Sequence, residues 1–162
     1  MEDIKMRIYT LKDVPELAEK LHNQKKQVVF TNGCFDILHM GHILSLEKAR
    51  KLGDCLVVGL NSDSSVRQLK APPRPIFEES QRAYILASLR FVDYVVVFSD
   101  STPIEIIKSL RPEVLVKGGD WQKQDIVGRD FVESYGGRVE TVDYQEGLST
   151  TSLINKIKKS SA

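Results

Sequence analysis

The sequence has few of the features that mark secreted, membrane-spanning or nucleic-acid-binding proteins. Its two cysteines, Cys34 and Cys55, are isolated from each other, which favours a reducing compartment over a disulfide framework. No apolar run is long enough to span a bilayer, and the N-terminal residues do not resemble a signal peptide. A formal net charge of +1 provides no excess of positive charge for nucleic acid. We therefore expect a cytoplasmic protein that binds neither a membrane nor nucleic acid.

Short apolar runs alternate with segments of helical periodicity over most of the 162 residues. This alternation indicates an α/β fold, because strands that are connected through helices pair in parallel. The predicted strands lie at residues 27–30, 55–60, 93–98, 113–117 and 138–142. Predicted helices lie at residues 10–24, 43–52, 78–90, 127–135 and 149–159, and another begins at residues 102–103. We expect a Rossmann-like, doubly wound, five-stranded parallel sheet in a single domain of residues 27–162, preceded by an N-terminal helical extension of residues 1–26.

The most unusual segment, residues 31–42, connects the first predicted strand to the helix of residues 43–52. His39 and His42 stand where that helix begins, and their separation by three residues places both imidazoles on one side of a helical turn. A helix N-terminus has unpaired N–H groups and a partial positive charge, so it attracts anions. Gly33 allows a ligand to approach the backbone closely. The segment therefore predicts a site for a phosphate chain, where two imidazoles stabilise the charge that develops at the phosphorus under attack.

Two other interpretations of the histidines remain open. A structural zinc site needs about four ligands, and Cys34 or Asp36 together with the two histidines would make an irregular set. The histidines can also be a pair whose hydrogen bonds are satisfied inside the protein. Their position at the start of a helix favours the phosphate site over both alternatives.

Three further segments of unusual composition, at residues 61–75, 117–121 and 143–151, each follow a predicted strand. Residues 61–75 are predicted to be a polar connection, because they are rich in polar side chains and end in prolines. Ligands of parallel sheets bind beyond the carboxyl ends of the strands. These segments and residues 31–42 are therefore expected to share one active site.

Two basic residues outside the histidine segment are candidates for phosphate contacts. Lys70 lies in the predicted polar connection, and its alternative role is that of a solvated surface lysine. Arg82 lies in the first turns of a helix, where a positive charge opposes the helix dipole. An anionic ligand would explain that position, and an ordinary surface arginine is the alternative.

Three successive hydroxyl groups at residues 149–151 can both cap the last helix and hold a triphosphate.

Residues 33–42 resemble the signature G-x-F-D-x-x-H-x-G-H of the nucleotidyltransferase superfamily, which contains cytidylyl- and adenylyltransferases. The fixed positions that match are Gly33, Phe35, Asp36, His39, Gly41 and His42. Residues 148–151 resemble the second signature of the superfamily, I-S-S/T-T, with Leu148 in place of the isoleucine. Members of the superfamily also carry basic residues at the positions that Lys70 and Arg82 occupy in this chain.

From about Val28 to Ile157 the sequence resembles the adenylyltransferases of ADP-heptose synthesis. That resemblance implies transfer of AMP from ATP to D-glycero-β-D-manno-heptose 1-phosphate, with release of pyrophosphate, for the inner core of lipopolysaccharide. Glycerol-phosphate cytidylyltransferases carry a basic residue just before the second signature, whereas residues 144–146 of this chain are Tyr-Gln-Glu, which disfavours CTP. The open alternatives are another enzyme of the superfamily, such as a glycerol-3-phosphate cytidylyltransferase or an FAD synthetase-like enzyme, and a nucleotide-binding module without turnover.

The resemblance also implies roles for individual residues. The catalytic residues would be His39, His42, Lys70 and Arg82. The nucleotide would contact Gly33, Cys34, Phe35, His39, His42, Lys117, Gly119, Asp120, Ser149, Thr150 and Thr151. The sugar phosphate would contact Asp36, Asn61, Asp63, Arg67 and Lys70. We further expect Mg²⁺ held mainly by the phosphates of ATP rather than by protein ligands, and assembly into a homodimer or larger homo-oligomer.

Overall fold

The computed structural model describes residues 3–119, 121–142 and 150–160, and its centre is a six-stranded parallel sheet. The strands are β1 (Ile8–Thr10), β2 (Val28–Gly33), β3 (Cys55–Asn61), β4 (Tyr94–Phe98), β5 (Val114–Gly118) and β6 (Arg138–Val142). The helices are α1 (Val14–Asn23), α2 (Met40–Arg50), α3 (Asp63–Leu69), α4 (Glu79–Ala87), α5 (Ile104–Leu110), α6 (Arg129–Ser134) and α7 (Thr150–Ser160). Short 3₁₀ turns cover Ile4–Arg7, Leu11–Asp13 and Lys123–Asp125. None of the helices in these described ranges is both long enough and apolar enough to cross a membrane.

The expected sheet of five strands is wrong by one strand. The additional strand is β1, which pairs in parallel with β4 at the edge of the sheet, with Ile8 opposite Val95. It has three residues and is flanked by 3₁₀ turns, so it is too short to show a strand periodicity in the sequence. The N-terminal segment therefore contributes a strand to the sheet as well as the expected helix α1. The division of the chain at residue 27 stays a prediction.

The polar connection that was expected at residues 61–75 contains a helix, α3. Ser62 caps its N-terminus by accepting a hydrogen bond from the Ser65 N–H group at 3.3 Å. Val66 is the apolar residue that α3 buries, so the helix has no apolar stripe from which periodicity could predict it. The five predicted strands and the other predicted helices are confirmed, with small shifts of their ends.

Helices cover both faces of the sheet, as expected for a doubly wound fold. Alternate residues of each strand point to opposite faces, so Phe30 packs in the core with α1, α5 and α6. Val29 packs in the other core with α2 and α4. All seven residues of β3 are buried, which explains why its sequence reads as a continuous apolar run.

The strand order β1-β4-β3-β2-β5-β6 places the reversal of direction between β2 and β5. From β2 the chain moves through β3 and β4 on one side and then crosses to β5 on the other side. The carboxyl ends of these two strands, at Gly33 and Gly118, border the crevice where ligands of such sheets bind. The fold therefore predicts the position of the functional site without reference to its side chains.

Candidate active site

A cleft of about 570 Å³ lies at this crevice. The expected site residues that line it are Gly33, Cys34, Phe35, Asp36, His42, Asn61, Lys70, Lys117, Thr150 and Thr151. His39, Asp63, Arg67, Arg82 and Gly119 are not on its lining. Asp120 and Ser149 lie outside the described residues. A larger and mainly apolar groove of about 1110 Å³ runs beside β1 and α4, and it contains none of the expected residues.

His42 presents a neutral imidazole to the cleft. Its Nδ1 atom accepts a hydrogen bond from the backbone N–H of His39 at 3.4 Å, so the proton of the neutral ring is on Nε2. Burial lowers the pKa of His42 to about 4, with smaller contributions from His39 and Arg74 that outweigh the opposing effect of Asp36. The ring therefore acts near neutral pH as a hydrogen-bond donor through Nε2–H and not as a cation.

His39 caps helix α2 and stacks on His42, with the ring centroids 3.8 Å apart. Both of its ring nitrogens are buried, and neither has a hydrogen-bond partner among the residues that the structure describes. Burial also lowers the pKa of His39, so this ring is uncharged near neutral pH as well. The expected shared side of the helical turn is confirmed, but the cleft is lined by His42 and not by His39.

The alternative metal site has no support in the described ranges, where no group of three His, Cys, Asp or Glu residues is close enough to hold an ion. Cys34 lines the cleft, and burial raises the pKa of its thiol despite the lowering effect of Lys70, Arg82 and Arg74. A thiol that stays protonated is a poor metal ligand and a weak nucleophile. Cys34 therefore contributes to the cleft through its backbone and its shape.

Asp36 anchors the segment of residues 74–77, which we call the strap. Its carboxylate accepts hydrogen bonds from the Arg74 guanidinium and from the backbone N–H groups of Ile76 and Phe77, at 2.9 and 3.0 Å for the two backbone donors. Burial acts to raise the pKa of Asp36, but these donors outweigh it and hold the pKa below its ordinary value. The side chain is fully buried, so the expected contact with the sugar phosphate is replaced in this structure by an internal anchor.

Arg82 also differs from its expected role. Its guanidinium is fully buried and donates to Asp63 Oδ1 at 2.7 Å. It also donates to three backbone carbonyls, those of Cys34 at 2.6 Å, Asn61 at 2.8 Å and Phe77 at 2.9 Å. The side chain turns inward to these acceptors, so the dipole argument that pointed to an external anion does not hold. In this structure Arg82 positions the residues beneath the cleft, and a contact with phosphate stays a prediction.

Most of the residues expected around the sugar phosphate are bonded to other parts of the protein or lie away from the cleft. Asn61 is buried, and its side-chain amide donates to Ser65 Oγ at 2.9 Å. Asp63 is paired with Arg82, and Arg67 is exposed on α3 away from the cleft. Of that group, Lys70 is the residue that offers an exposed charged side chain to the cleft.

Three cations line the cleft from both sides of the sheet reversal. Lys70 follows α3, Arg74 belongs to the strap, and Lys117 lies on β5. Lys117 Nζ donates to Asn32 Oδ1 at 3.2 Å, which connects β5 to β2 across the reversal. Burial lowers the pKa of Lys117. Arg74 was missed from the sequence, although its position in the proline-rich stretch next to Lys70 was a usable signal.

The start of helix α7 forms another wall of the cleft. Thr150 and Thr151 both line it, and the Thr150 hydroxyl donates to the backbone carbonyl of Asp36 at 2.8 Å. This bond connects the second signature to the first one.

The turn after β5 begins at Gly119. This residue has a φ of 105°, a conformation that favours glycine, and its N–H donates to the Val142 carbonyl at 3.1 Å. Trp121 lines the cleft and was not among the expected residues.

The family model described as cytidylyltransferase-like matches residues 30–158. The bifunctional protein HldE of Syntrophotalea carbinolica is 56% identical over 156 residues, which is 96% of this chain and 31% of that protein. The HldE protein of Geobacter sulfurreducens is 58% identical over 142 residues, which is 88% of this chain and 29% of that protein. The chain thus spans about a third of the length of the curated relatives it matches.

Two solved structures share the fold. The lipopolysaccharide core biosynthesis protein of Thermoplasma volcanium superposes with a TM-score of 0.62 at 29% identity, over 74% of this chain and 97% of that chain. The pantoate-β-alanine ligase of Francisella tularensis superposes with a TM-score of 0.60 at 16% identity, over 94% of this chain and 77% of that chain. At that lower identity the second likeness concerns the fold alone.

Proposed function

This chain belongs to the cytidylyltransferase-like family of nucleotidyltransferases, and from that membership we propose that it transfers AMP from ATP to D-glycero-β-D-manno-heptose 1-phosphate. The HldE relatives are bifunctional proteins, this chain matches about a third of their length, and its sequence resembles the adenylyltransferases of ADP-heptose synthesis. The likeness to the lipopolysaccharide core biosynthesis protein of Thermoplasma volcanium supports the same assignment. Location in the cytoplasm and assembly into a homo-oligomer stay predictions.

The observation that carries this proposal is the combination of His42, Lys70, Arg74 and Lys117 in one cleft at the reversal of the sheet. Lys70 and Lys117 offer positive charge to a triphosphate and an incoming sugar phosphate, whereas the Arg74 guanidinium, which lines the same cleft, is paired with Asp36. A neutral imidazole at the start of α2 adds a directed donor beside the partial positive charge of the helix N-terminus. A module that merely bound nucleotide would not need charge-stabilising groups on both sides of the crevice.

The proposed reaction is a single in-line displacement. A phosphate oxygen of the sugar phosphate forms a bond to the α-phosphorus of ATP, the bond from that phosphorus to the oxygen bridging to the β-phosphate breaks, and pyrophosphate leaves. The attacking phosphate is already ionised near neutral pH, so catalysis requires positioning and charge stabilisation more than a strong base. This agrees with a cleft in which the thiol of Cys34 remains protonated.

The chain's own groups divide this work. His42 Nε2–H donates to the triphosphate, and the cations neutralise charge that passes to the leaving pyrophosphate. Thr150 and Thr151, with Ser149, hold the β- and γ-phosphates at the start of α7. The backbone of residues 33–35 contacts the nucleotide, as their position on the cleft lining supports.

Nucleotidyltransferases of this kind generally use a divalent metal ion with ATP, and we propose Mg²⁺ here. Among the described residues that line the cleft, Asp36 is occupied by the strap and Asp125 is an exposed carboxylate. This donor set fits an ion that takes most of its ligands from phosphate and water, with Asp125 as one protein ligand. When bound, Mg²⁺ would supply positive charge to the phosphates.

The test is pyrophosphate release measured with ATP or CTP against several acceptors: the heptose 1-phosphate, another sugar 1-phosphate, glycerol 3-phosphate and riboflavin 5′-phosphate. We expect turnover with ATP and the heptose 1-phosphate and little with CTP. Preference for CTP or for a different acceptor would contradict the heptose assignment. Nucleotide binding without turnover on any acceptor would indicate a binding module instead of an enzyme.

A further inference from the structure

Trp121 is the one tryptophan of the chain, and it follows β5 at the cleft. Half of its surface is exposed, although it lines a cleft and not a convex surface. Large aromatic side chains at such positions provide contact area for a ligand, because an indole ring loses apolar hydration when it is covered. The residue thus has an available face inside the site already described.

The ring is held beside the sheet reversal by Lys117. Lys117 Nζ lies 5.3 Å from the centroid of the Trp121 ring, within the range of a cation–π contact. The same ammonium donates to Asn32 Oδ1, so the indole is positioned next to the carboxyl ends of β2 and β5. This is the crevice where nucleotides are expected in such a sheet.

The other aromatic residue on the described lining of the cleft is Phe35, and its ring is already engaged. Phe35 contacts His42 edge-on, with the centroids 5.5 Å apart and an interplanar angle of 61°. The remaining charged residues suit phosphate, not a planar apolar group. Trp121 therefore supplies a half-exposed aromatic face in a site whose other lining side chains are charged, polar or aliphatic.

We propose that Trp121 is the platform on which the nucleobase stacks. The proposal rests on the proposed function, which makes the ligand a nucleoside triphosphate with one planar base and a charged tail. The tail is recognised by the cations and by His42, and the base by the indole face. Stacking does not select one base through hydrogen bonds, but a purine offers more area than a pyrimidine, which favours ATP over CTP.

The wild-type protein provides its own probe, because fluorescence from a single tryptophan reports on one position. Titration with ATP is expected to quench this fluorescence, whereas inorganic tripolyphosphate is expected to bind with much less quenching because it has no base. CTP is expected to quench at higher concentrations than ATP. Equal responses to ATP and tripolyphosphate would overturn the proposal.

Binding to variants, measured by calorimetry, separates stacking from a general structural effect. Loss of one base–aromatic stack costs about 1–3 kcal/mol, so Trp121→Ala is expected to raise the Kd for ATP by roughly 5- to 150-fold. Its Kd for tripolyphosphate should be unchanged, and Trp121→Phe should recover most of the affinity for ATP. Tyr84→Ala is the matched control, because Tyr84 is a similarly exposed aromatic residue on α4 outside the cleft.

Two outcomes would contradict the proposal that the nucleobase stacks on Trp121. One is normal ATP affinity in Trp121→Ala, and the other is an equal loss of affinity for ATP and tripolyphosphate, which would indicate a merely structural residue. The proposed function fails separately, by absence of pyrophosphate release in the wild-type protein with every acceptor. In that case a base-dependent loss of binding in Trp121→Ala would still support the platform.

Discussion

At the scale of single residues, the two signature histidines have different surroundings despite their common spacing. His42 lines the cleft and has its Nδ1 atom occupied, whereas the ring of His39 lies against the His42 ring with both nitrogens buried. The spacing in the sequence predicted that the rings face the same way. It could not predict which of them reaches the cleft, because that depends on stacking and on the direction of each ring.

We predict that His42→Ala lowers kcat by about 10²-fold or more, which is typical for loss of one preorganised donor. Binding of ATP should weaken less, because the cations that line the cleft would still attract the triphosphate. Steady-state kinetics with ATP and the heptose 1-phosphate measure this split. His22→Ala is the matched control, since His22 lies at the end of α1 near Glu113 and away from the cleft. A near-normal kcat in His42→Ala would contradict the assignment.

The lowered pKa values of the histidines also predict how stability depends on pH. The unfolded chain takes up a proton at His42 near its ordinary value of 6.5, whereas the folded protein does so at about 4. Between these values the unfolded state binds more protons, so the free energy of unfolding falls as the pH falls from about 6.5 to about 4. The lowered pKa of His39 acts in the same direction.

Urea denaturation at several pH values between about 6.5 and about 4 measures this slope. We expect His42→Ala to show a smaller fall in unfolding free energy across the window than the wild-type protein, whatever its stability at neutral pH. An identical slope in His42→Ala would mean that the buried imidazole of His42 does not cause the pH dependence of the unfolding free energy.

At the scale of elements, the sequence predicted the long amphipathic and apolar segments and missed the short polar ones. β1 has three residues, and α3 buries little apolar surface, so neither has a periodicity that separates it from a loop. The internal partners of Asp36 and Arg82 could not be predicted for a related reason, and their contacts with substrate stay predictions. A sequence shows that a residue is charged, but the partner that neutralises it comes from a distant segment, here the strap for Asp36 and Asp63 for Arg82.

Arg82 connects α4 to the start of α3 and to the cleft floor, so we predict that Arg82→Ala is strongly destabilising. Removing one partner of a buried ion pair costs about 3–5 kcal/mol, and three carbonyls would lose their donor as well. Urea denaturation measures the loss. Arg67→Ala is the matched control, because Arg67 is exposed on α3 and should change stability by less than about 0.5 kcal/mol.

This experiment also distinguishes the two roles considered for Arg82. If the arginine served mainly as a phosphate ligand, Arg82→Ala would keep its unfolding free energy and lose turnover. If it is the internal connection seen in the structure, Arg82→Ala lowers the free energy of unfolding. The protein that still folds then loses activity as well, because Cys34 and Asn61 are displaced.

At the scale of the whole molecule, the sequence predicted that one active site is assembled from segments that follow separate strands. That inference depends on parallel topology, which the alternation of strands and helices establishes. Which residues line the cleft could not be predicted in the same way. Arg74 and Trp121 line it because the strap and the turn after β5 fold over the crevice, and neither path is encoded in a local pattern.

The connection between α3 and the strap is the part of the cleft wall best placed to close over bound substrates, and it is shorter than residues 61–75. Residues 63–69 are helical, and Asp36 fixes the strap through Arg74, Ile76 and Phe77. Residues 70–73 remain between these two anchors, and they carry Lys70, whose exposed side chain lines the cleft. Charge on a short exposed segment can follow the substrates into the site and help to exclude water.

We predict that saturation with ATP, Mg²⁺ and sugar phosphate slows amide hydrogen exchange at Lys70, Ala71 and Arg74, measured by mass spectrometry; Pro72 and Pro73 have no N–H group. Amides of Ile76 and Phe77 should change little, because Asp36 already accepts their hydrogen bonds. Lys70→Ala should reduce turnover by about tenfold or more and leave the unfolding free energy within about 0.5 kcal/mol, since the side chain is exposed. Lys108→Ala, an exposed lysine on α5, is the control for both measurements. Unchanged exchange at these amides on saturation would contradict closure, and full activity of Lys70→Ala would remove this lysine from the site.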